Sequence, residues 1–471
     1  MITSLKFGTS GLRGLAVDLV GDAAQRYTTA FLNYLSQDDA PVSSLYLGRD
    51  LRVSSAAIVA DCAAAAAAMG LRVVDCGELP APALAFHAMA AGAPSIMVTG
   101  SHIPADRNGL KFFRASGEIS KADEAGILAQ LGEGAEADDA VQAVDESALA
   151  MSGYLDRYRG VLAADALKDW RIGVYEHSSV SRQALAEVFA GYGAQIVPLG
   201  RAPGFVAIDT EAFGDAVFAP LVGWIKEYDL DAIISTDGDA DRPLLMDEQG
   251  QFVRGDVLGL LAARFFGADT VVTPVTSNTA IEATGYFASV ERTRVGSPFV
   301  IAGMEAAIAK GARCVFGFEA NGGTLLGTAL NLHNTDVPAL MTRDAILPLI
   351  GVFGRAAAEG GTISALVAAL PLRVALSDRL ENFSAENSST LLDDLSTPAG
   401  AAAHFGARGS IVRSAAIDGL QVFLDDGTMI HYRASGNAPE LRCYVEADSA
   451  AQAEDALRWG LAAAKMAAIS G

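Results

Sequence analysis

Basic residues are scarce in this chain. Its 471 residues carry 34 Lys and Arg against 56 Asp and Glu, a formal charge of −22. A general nucleic-acid or membrane-surface binder needs a basic face, so no nucleic acid and no membrane is expected as a partner. A phosphorylated substrate is still admitted, because a few arginines and converging backbone N–H groups hold a phosphate even inside an acidic protein. Cysteine is equally sparse. Cys62, Cys76, Cys314 and Cys443 are scattered without CxxC spacing, which argues against a disulfide framework or zinc site and for reduced, mostly buried thiols. No apolar run approaches the ~20 residues of a membrane span. The opening MITSLKFGTSG lacks the basic-then-apolar pattern of a leader. A soluble, cytoplasmic protein is the expectation. The positive mean hydropathy comes largely from alanine, as in residues 62–69, which read as part of a buried helix.

What is present is a repeated pattern. The length suggests three or four domains of ~100–150 residues, and a composition that is half hydrophobic predicts sizeable cores. Apolar strand-like runs end again and again in polar, Gly-containing loops: 44–50, 94–102, 171–180, 232–242 and 314–323. Helix-like stretches separate them. This alternation predicts α/β units with parallel sheets covered on both faces. Residues 121–150, acidic and Ala-rich, read as a solvated connecting region that closes the first domain. The last hundred residues differ: alternating runs flank an Asp-Asp-Gly turn at 425–427, and Ser449 caps a terminal helix. A smaller α+β domain is expected there. The domains predicted are thus 1–150, 151–253, 254–368 and 369–471.

Four loops carry candidate chemistry. Ser101, beside Gly100 and His102, follows the run PSIMV and is either a nucleophile or an ordinary loop serine. Asp237, Asp239 and Asp241 alternate after AIIS, and carboxylates so close repel one another unless a cation sits among them. A hard divalent ion is the expected guest. Glu248 falls at the twelfth position of an EF-hand, but Arg242 replaces the required glycine and a strand precedes the loop. An aspartate nucleophile of the phosphatase kind, an exposed acidic turn and a metal site serving phosphoryl transfer to another residue stay open, with Arg242 contacting the phosphoryl group in the last case. Glu319 and Asn321 occupy a third loop. Arg433, Ser435, Gly436, Asn437 and Arg442 form a fourth, with the donors a phosphate needs. Arg13 stands in an opening glycine turn, and Arg49 is read as a loop cap.

In their order along the chain these loops resemble those of the α-D-phosphohexomutases, the phosphoglucomutases, phosphomannomutases and phosphoglucosamine mutases. The family's T-A-S-H-N-P with N-G-x-K appears as Thr99–Pro104 and Asn108–Lys111, and D-G-D-G-D-R as Asp237–Arg242 with Ala240 for one glycine. G-E-x-S-G appears as Phe318–Gly322, and R-x-S-G-T-E-P as Arg433–Pro439. The resemblance implies three similar α/β domains and a smaller α+β C-terminal one around a central cleft. It implies that hexose 1- and 6-phosphates interconvert through phosphorylated Ser101 and a bisphosphorylated sugar. It further implies one Mg²⁺ held by Ser101, Asp237, Asp239 and Asp241, a hexose 1,6-bisphosphate activator, and a monomer or homodimer. Arg242, Glu319, Asn321 and the fourth loop would bind substrate, that loop taking the phosphate that is not reacting. Mannose and glucose phosphates are the favoured substrates, with glucosamine or N-acetylglucosamine phosphates as the alternative. A non-catalytic sugar-phosphate or divalent-ion binder is the rival of another class. Three departures stand out. Gly323 and Ser297 occupy positions where relatives have histidines, and Asn321 replaces a serine. Lys111, His102 and Arg13 remain as groups to handle protons or stabilise charge, with no choice of base among them.

Overall fold

The structure, a computed structural model, describes residues 4–8, 11–37, 42–134, 141–214, 216–332, 335–436 and 439–470. They form two compact units. The first comprises residues 1–272, 287–289 and 296–367, the second residues 273–286, 290–295 and 368–471. Among the described residues no helix is long and apolar enough to cross a membrane.

The first sheet of the larger unit is built on Ser44–Arg49, which pairs in parallel with Arg72–Glu78 and with Ser95–Val98. The helix Ser55–Ala68 makes the crossover. Its alanines let it lie close on the sheet, and Ile58, Cys62, Ala65 and Ala66 are fully buried. Leu45, Leu47, Val98, Leu110 and Phe112 meet Phe31 and Leu32 from the helix Asp22–Leu35 in one core. A second sheet sets Arg171–His177 between Gln195–Arg201 and Ala232–Thr236, all parallel. In a third, Val315–Phe318 runs parallel to Thr270–Pro274.

In each sheet the strand leading into a candidate loop is followed by an antiparallel one. Ser95–Val98 returns as Arg107–Arg114, Ala232–Thr236 as Pro243–Asp247, and Val315–Phe318 as Thr324–Leu326. The sheets are therefore mixed, where the sequence pattern predicts parallel ones. The connecting loops are too short for the dozen or more residues that a parallel crossover takes, so the chain must turn back. The second unit repeats the device. Its antiparallel sheet runs in the order Val374–Glu381, Glu440–Ala447, Met429–Ala434, Leu420–Leu424 and Ile411–Ala415. Phe405, Tyr432, Val445 and Ala456 fill the core beneath the helices Pro398–Phe405 and Ala450–Ser470.

Residues 121–150 also depart from the expected solvated connector. Lys121–Ala129 is a helix with a Ser120–Asp123 capping box, and Ile127 is completely buried. Val144 and Asp145 then pair with Val74 and Asp75 at the sheet edge. The buried side of this helix consists of Ile127 together with two acids, Asp123 and Glu124. The part at 135–140 lies outside the described residues.

Candidate active site

Ser101 sits at the first hairpin return, fully buried and with φ of 53°. A left-handed backbone is costly for a residue with a side chain and persists only where the surroundings enforce it. Arg52 enforces it here. Its Nη1 donates to the carbonyls of Pro104 and Arg107 at 2.6 and 2.9 Å, and its Nη2 to those of Ser101 and Ile103 at 3.0 and 2.6 Å. Its Nε holds Asp50 at 3.1 Å, and its guanidinium lies 3.9 Å over the Phe205 ring. Asp50 in turn accepts from Thr99 Oγ1 at 2.8 Å, which accepts from the Ser101 N–H at 2.8 Å. Gly100 gives Arg52 its room, since a Cβ there would stand 2.6 Å from the guanidinium carbon.

At the second return, Asp237 and Asp239 are fully buried and Asp241 nearly so. Ala240 takes φ of 60°, at the place where the resembling motif carries a glycine. Asp237 Oδ1 accepts from the N–H groups of Asp241 and Arg242 at 3.2 and 3.3 Å, while its Oδ2 accepts from Ser101 Oγ at 2.5 Å. Lys111 Nζ donates to Oδ2 of Asp241 at 2.5 Å and to Oδ2 of Asp239. Oδ1 of Asp239 and Oδ1 of Asp241 are buried with no hydrogen-bond partner among the described residues. Ligand atoms of all three carboxylates lie within 4.8 Å of one another. Buried carboxylate oxygens without donors fit a hard divalent cation. Burial and repulsion from Asp239 and Asp241 push the Asp237 carboxyl well above its ordinary range. For Asp241 burial acts upward too, but Arg343, Lys111 and Arg242 outweigh it and hold the group well below that range. The EF-hand reading fails, because a strand follows the loop at once and Glu248 accepts from Ser364 Oγ.

Of the remaining groups in this unit, Arg13, Arg242, His102 and, through Arg343, Glu319 lie about these two loops. Arg13 lies on Leu12–Leu15, paired with Gly109 of the strand that carries Lys111. Burial, then the charge of Arg242, lowers it to about 10. Arg242 Nη1 stands 3.0 Å from His102 Nδ1, and Ser101 Oγ lies 3.3 Å from the same nitrogen. Because a guanidinium only donates, that nitrogen is an acceptor and the ring proton of neutral His102 is on Nε2. Burial, with Arg242 and Arg13 beside it, holds His102 neutral. Glu319, 4% exposed, accepts from Arg343 Nη1 at 2.9 Å. Asn321 Oδ1 accepts from the Gly323 N–H at 2.9 Å, so this oxygen braces its own loop. Ser297 Oγ donates to Glu118 at 2.6 Å. Arg49 approaches Asp75 and Glu78 of the neighbouring strand at 3.5 and 3.9 Å, and neither partner belongs to its own loop. Sequence reasoning passed over Asp50, Arg52 and Arg343. The only signal for Arg52 was its spacing from Asp50 just past a strand, and Arg343 had none beyond being a cation next to a buried helix.

The fourth loop belongs to the second unit. Arg433 and Arg442 are direct cross-strand partners, and Arg379 opposes Arg442 on the other side. Like charges in such a row repel and favour an anion. Arg433 Nε donates to Asp418 Oδ2 at 2.6 Å, and the same oxygen accepts from the Val295 N–H at 3.0 Å. The Ser435 N–H closes the turn on the Glu440 carbonyl at 3.0 Å. Gly436 is exposed, and Asn437 lies outside the described residues.

Residues 4–138, 254–374 and 384–457 match the domain families described as phosphoglucomutase/phosphomannomutase alpha/beta/alpha domain I, alpha/beta/alpha domain III and C-terminal domain. The chain is 47% identical to a phosphomannomutase of Sinorhizobium fredii over 97% of its own length and 98% of that protein's. It is 42% identical to a phosphomannomutase of Salmonella muenchen, covering 95% and 93%. Its fold is similar to the crystal structure of a phosphoglucomutase/phosphomannomutase family protein from Burkholderia thailandensis, with a TM-score of 0.74 and 21% identity over 97% of each chain.

Proposed function

The chain belongs to the phosphoglucomutase/phosphomannomutase family, the α-D-phosphohexomutases, and from that premise we propose that it interconverts mannose or glucose 1-phosphate and the corresponding 6-phosphate through phosphorylated Ser101. The observation carrying this reading is the buried hydrogen bond between Ser101 Oγ and Asp237, which joins a hydroxyl to a carboxylate trio fitted for a cation.

The phosphoryl group leaves Ser101 Oγ as the Oγ–P bond breaks and a bond forms from phosphorus to the free hexose hydroxyl, whose proton goes to a basic group nearby. The resulting bisphosphorylated sugar turns round and returns its other phosphate to Ser101. A catalytic amount of hexose 1,6-bisphosphate therefore acts as activator. One Mg²⁺ held by Asp237, Asp239, Asp241 and a phosphoserine oxygen would neutralise charge on the transferring group. Lys111 and Arg13 keep positive charge beside Ser101, and Arg242 contacts the phosphoryl oxygens. His102, with Nδ1 facing Arg242, keeps only its Nε2 side for a proton. Glu319 and the Nδ2 of Asn321 are the sugar ligands; Glu319 accepts from hydroxyls common to mannose and glucose. Arg433, Ser435, Gly436, Asn437 and Arg442 are the second unit's phosphate ligands. The proposed domain limits are 1–150, 151–253, 254–368 and 369–471, and the proposed setting is the cytoplasm, as a monomer or homodimer.

The deciding experiment compares turnover of mannose, glucose, glucosamine and N-acetylglucosamine 1-phosphates with Mg²⁺ and a trace of the matching bisphosphate. Fastest conversion of mannose or glucose 1-phosphate is expected. Preference for an amino sugar overturns the substrate assignment, and no conversion of any of them overturns the activity.

A further inference from the structure

Arg343 is the one arginine that touches both the aspartate loop and the Glu319 loop through side-chain ion pairs among the described contacts. It lies near the end of Leu340–Asp344 and is 2% exposed. Its Nη2 stands 2.7 Å from Asp241 Oδ2, and its Nη1 donates to Glu319 Oε2 at 2.9 Å. Asp241 Oδ2 also accepts from Lys111. That oxygen is thus taken by two cations, and Oδ1 is the one left without a donor.

The space for this arginine comes from Gly323. A Cβ on that residue would stand 2.5 Å from Arg343 Cδ and 2.8 Å from its Cγ. Such an approach is closer than carbon atoms tolerate, so any side chain at 323 displaces the arginine stem. Gly323 and Arg343 are a complementary pair, in a loop where some relatives carry a histidine instead. A guanidinium is always charged and presents its donors as a planar fork, so one residue grips two carboxylates in a fixed mutual geometry.

We propose that Arg343 is a positioning residue for phosphoryl transfer, coupling the metal loop to the sugar loop by holding Asp241 and Glu319 in one fork. The proposal rests on reading Asp241 as a metal ligand and Glu319 as a sugar ligand. Its consequence is that cation binding and sugar binding are not independent in this protein. Asp241 is kept charged with Oδ1 available, and Glu319 is kept oriented toward a sugar.

The test uses the full-length protein with Arg343→Gln and Arg343→Lys, their folding checked by thermal melting. Mg²⁺ binding is titrated calorimetrically without sugar, and kcat and KM are measured for the best hexose 1-phosphate. Arg343→Gln is expected to weaken Mg²⁺ binding about tenfold or more and to lower kcat/KM about a hundredfold, the range found when a partner of a metal ligand is removed. Arg343→Lys keeps the charge but not the fork. It should return Mg²⁺ affinity to within about threefold of the parent while KM stays raised, because a single ammonium nitrogen does not reproduce the two separate nitrogens with which the fork reaches Asp241 and Glu319. If Arg343→Gln fails to fold, the split between Mg²⁺ affinity and KM in Arg343→Lys decides alone. Both variants within about twofold of the parent in every parameter, or a lowered kcat with Mg²⁺ affinity and KM unmoved, overturn the proposal. The calorimetric arm reads this coupling without turnover, and the parent enzyme assayed alongside shows separately whether the mutase reading itself stands.

Discussion

Ser101 and Asp237, 136 residues apart in the chain, are joined by a hydroxyl-to-carboxylate hydrogen bond of 2.5 Å that is shut away from solvent. The Ser101 hydroxyl is therefore placed by two loops at once. Ser101→Ala should leave the melting temperature within a few degrees of the parent, since only one hydroxyl is lost. It should lower kcat by about a thousandfold or more, because the proposed phosphoryl carrier is removed. A coupled assay for hexose 6-phosphate, read beside the melting curve, checks both halves.

Arg52→Met probes the scaffold behind that serine. The change leaves Asp50 buried without its cation and removes the donors to four carbonyls of the Ser101 loop. Breaking a buried ion pair by removing one partner costs about 3 kcal/mol or more. A lower melting temperature is expected, together with a drop in kcat from a misplaced Ser101. An unchanged melting curve would show that Arg52 is not what holds the loop.

Chelation should abolish turnover and Mg²⁺ should restore it. Asp239→Asn should raise the Mg²⁺ concentration for half-maximal rate by about tenfold or more, since it removes a charge from a trio with two donorless oxygens. A titration of rate against free Mg²⁺ reads the shift directly.

Arg433→Ala tests the second unit. Loss of a charge-assisted hydrogen bond to phosphate is worth about 1.5–3 kcal/mol, so KM for the hexose 1-phosphate should rise by about ten- to a hundredfold. Steady-state kinetics with a full substrate range measures it.

Acid should loosen both units through their buried histidines. Burial lowers His177 to about 4, and it lowers His431 to about 4. Between pH ~6.5 and ~4 the unfolded chain binds protons at these positions and the folded chain does not, so stability falls as pH falls. The slope is at most about 1.4 kcal/mol per pH unit for each histidine. His431→Gln should flatten the acid limb of the second unit's melting profile relative to the parent, measured by calorimetry from pH 7 to 4.5.

The loops themselves were legible in the sequence, because an apolar run breaking into Gly, Ser and Asp announces a strand end wherever it occurs. Ser101, Lys111 and the three aspartates meet in one buried cluster. The direction of the next strand was not legible: an apolar run such as PLLMD reads alike in a parallel or an antiparallel sheet. Arg52 and Arg343 were invisible for a related reason. An arginine's partners here are carbonyls and carboxylates far along the chain, and nothing local distinguishes a buried fork from a solvated one. The helix at 121–129 was hidden by its charges, since two of its three buried residues are the acids Asp123 and Glu124, beside Ile127.

The hairpin return after each loop has an evolutionary consequence. Val98 faces Leu110, Thr236 faces Pro243, Phe318 faces Thr324 and Ala434 faces Leu441. A single inserted residue that is not absorbed in the turn slips the returning strand by one place and exchanges its two faces, both of which are packed in the first three returns. Length changes that shift the strand register are therefore closed to these loops. Exchange of side chains on the existing frame is open to them, and a glycine in one strand connection opposite an arginine on a neighbouring strand is the kind of exchange that such a frame permits.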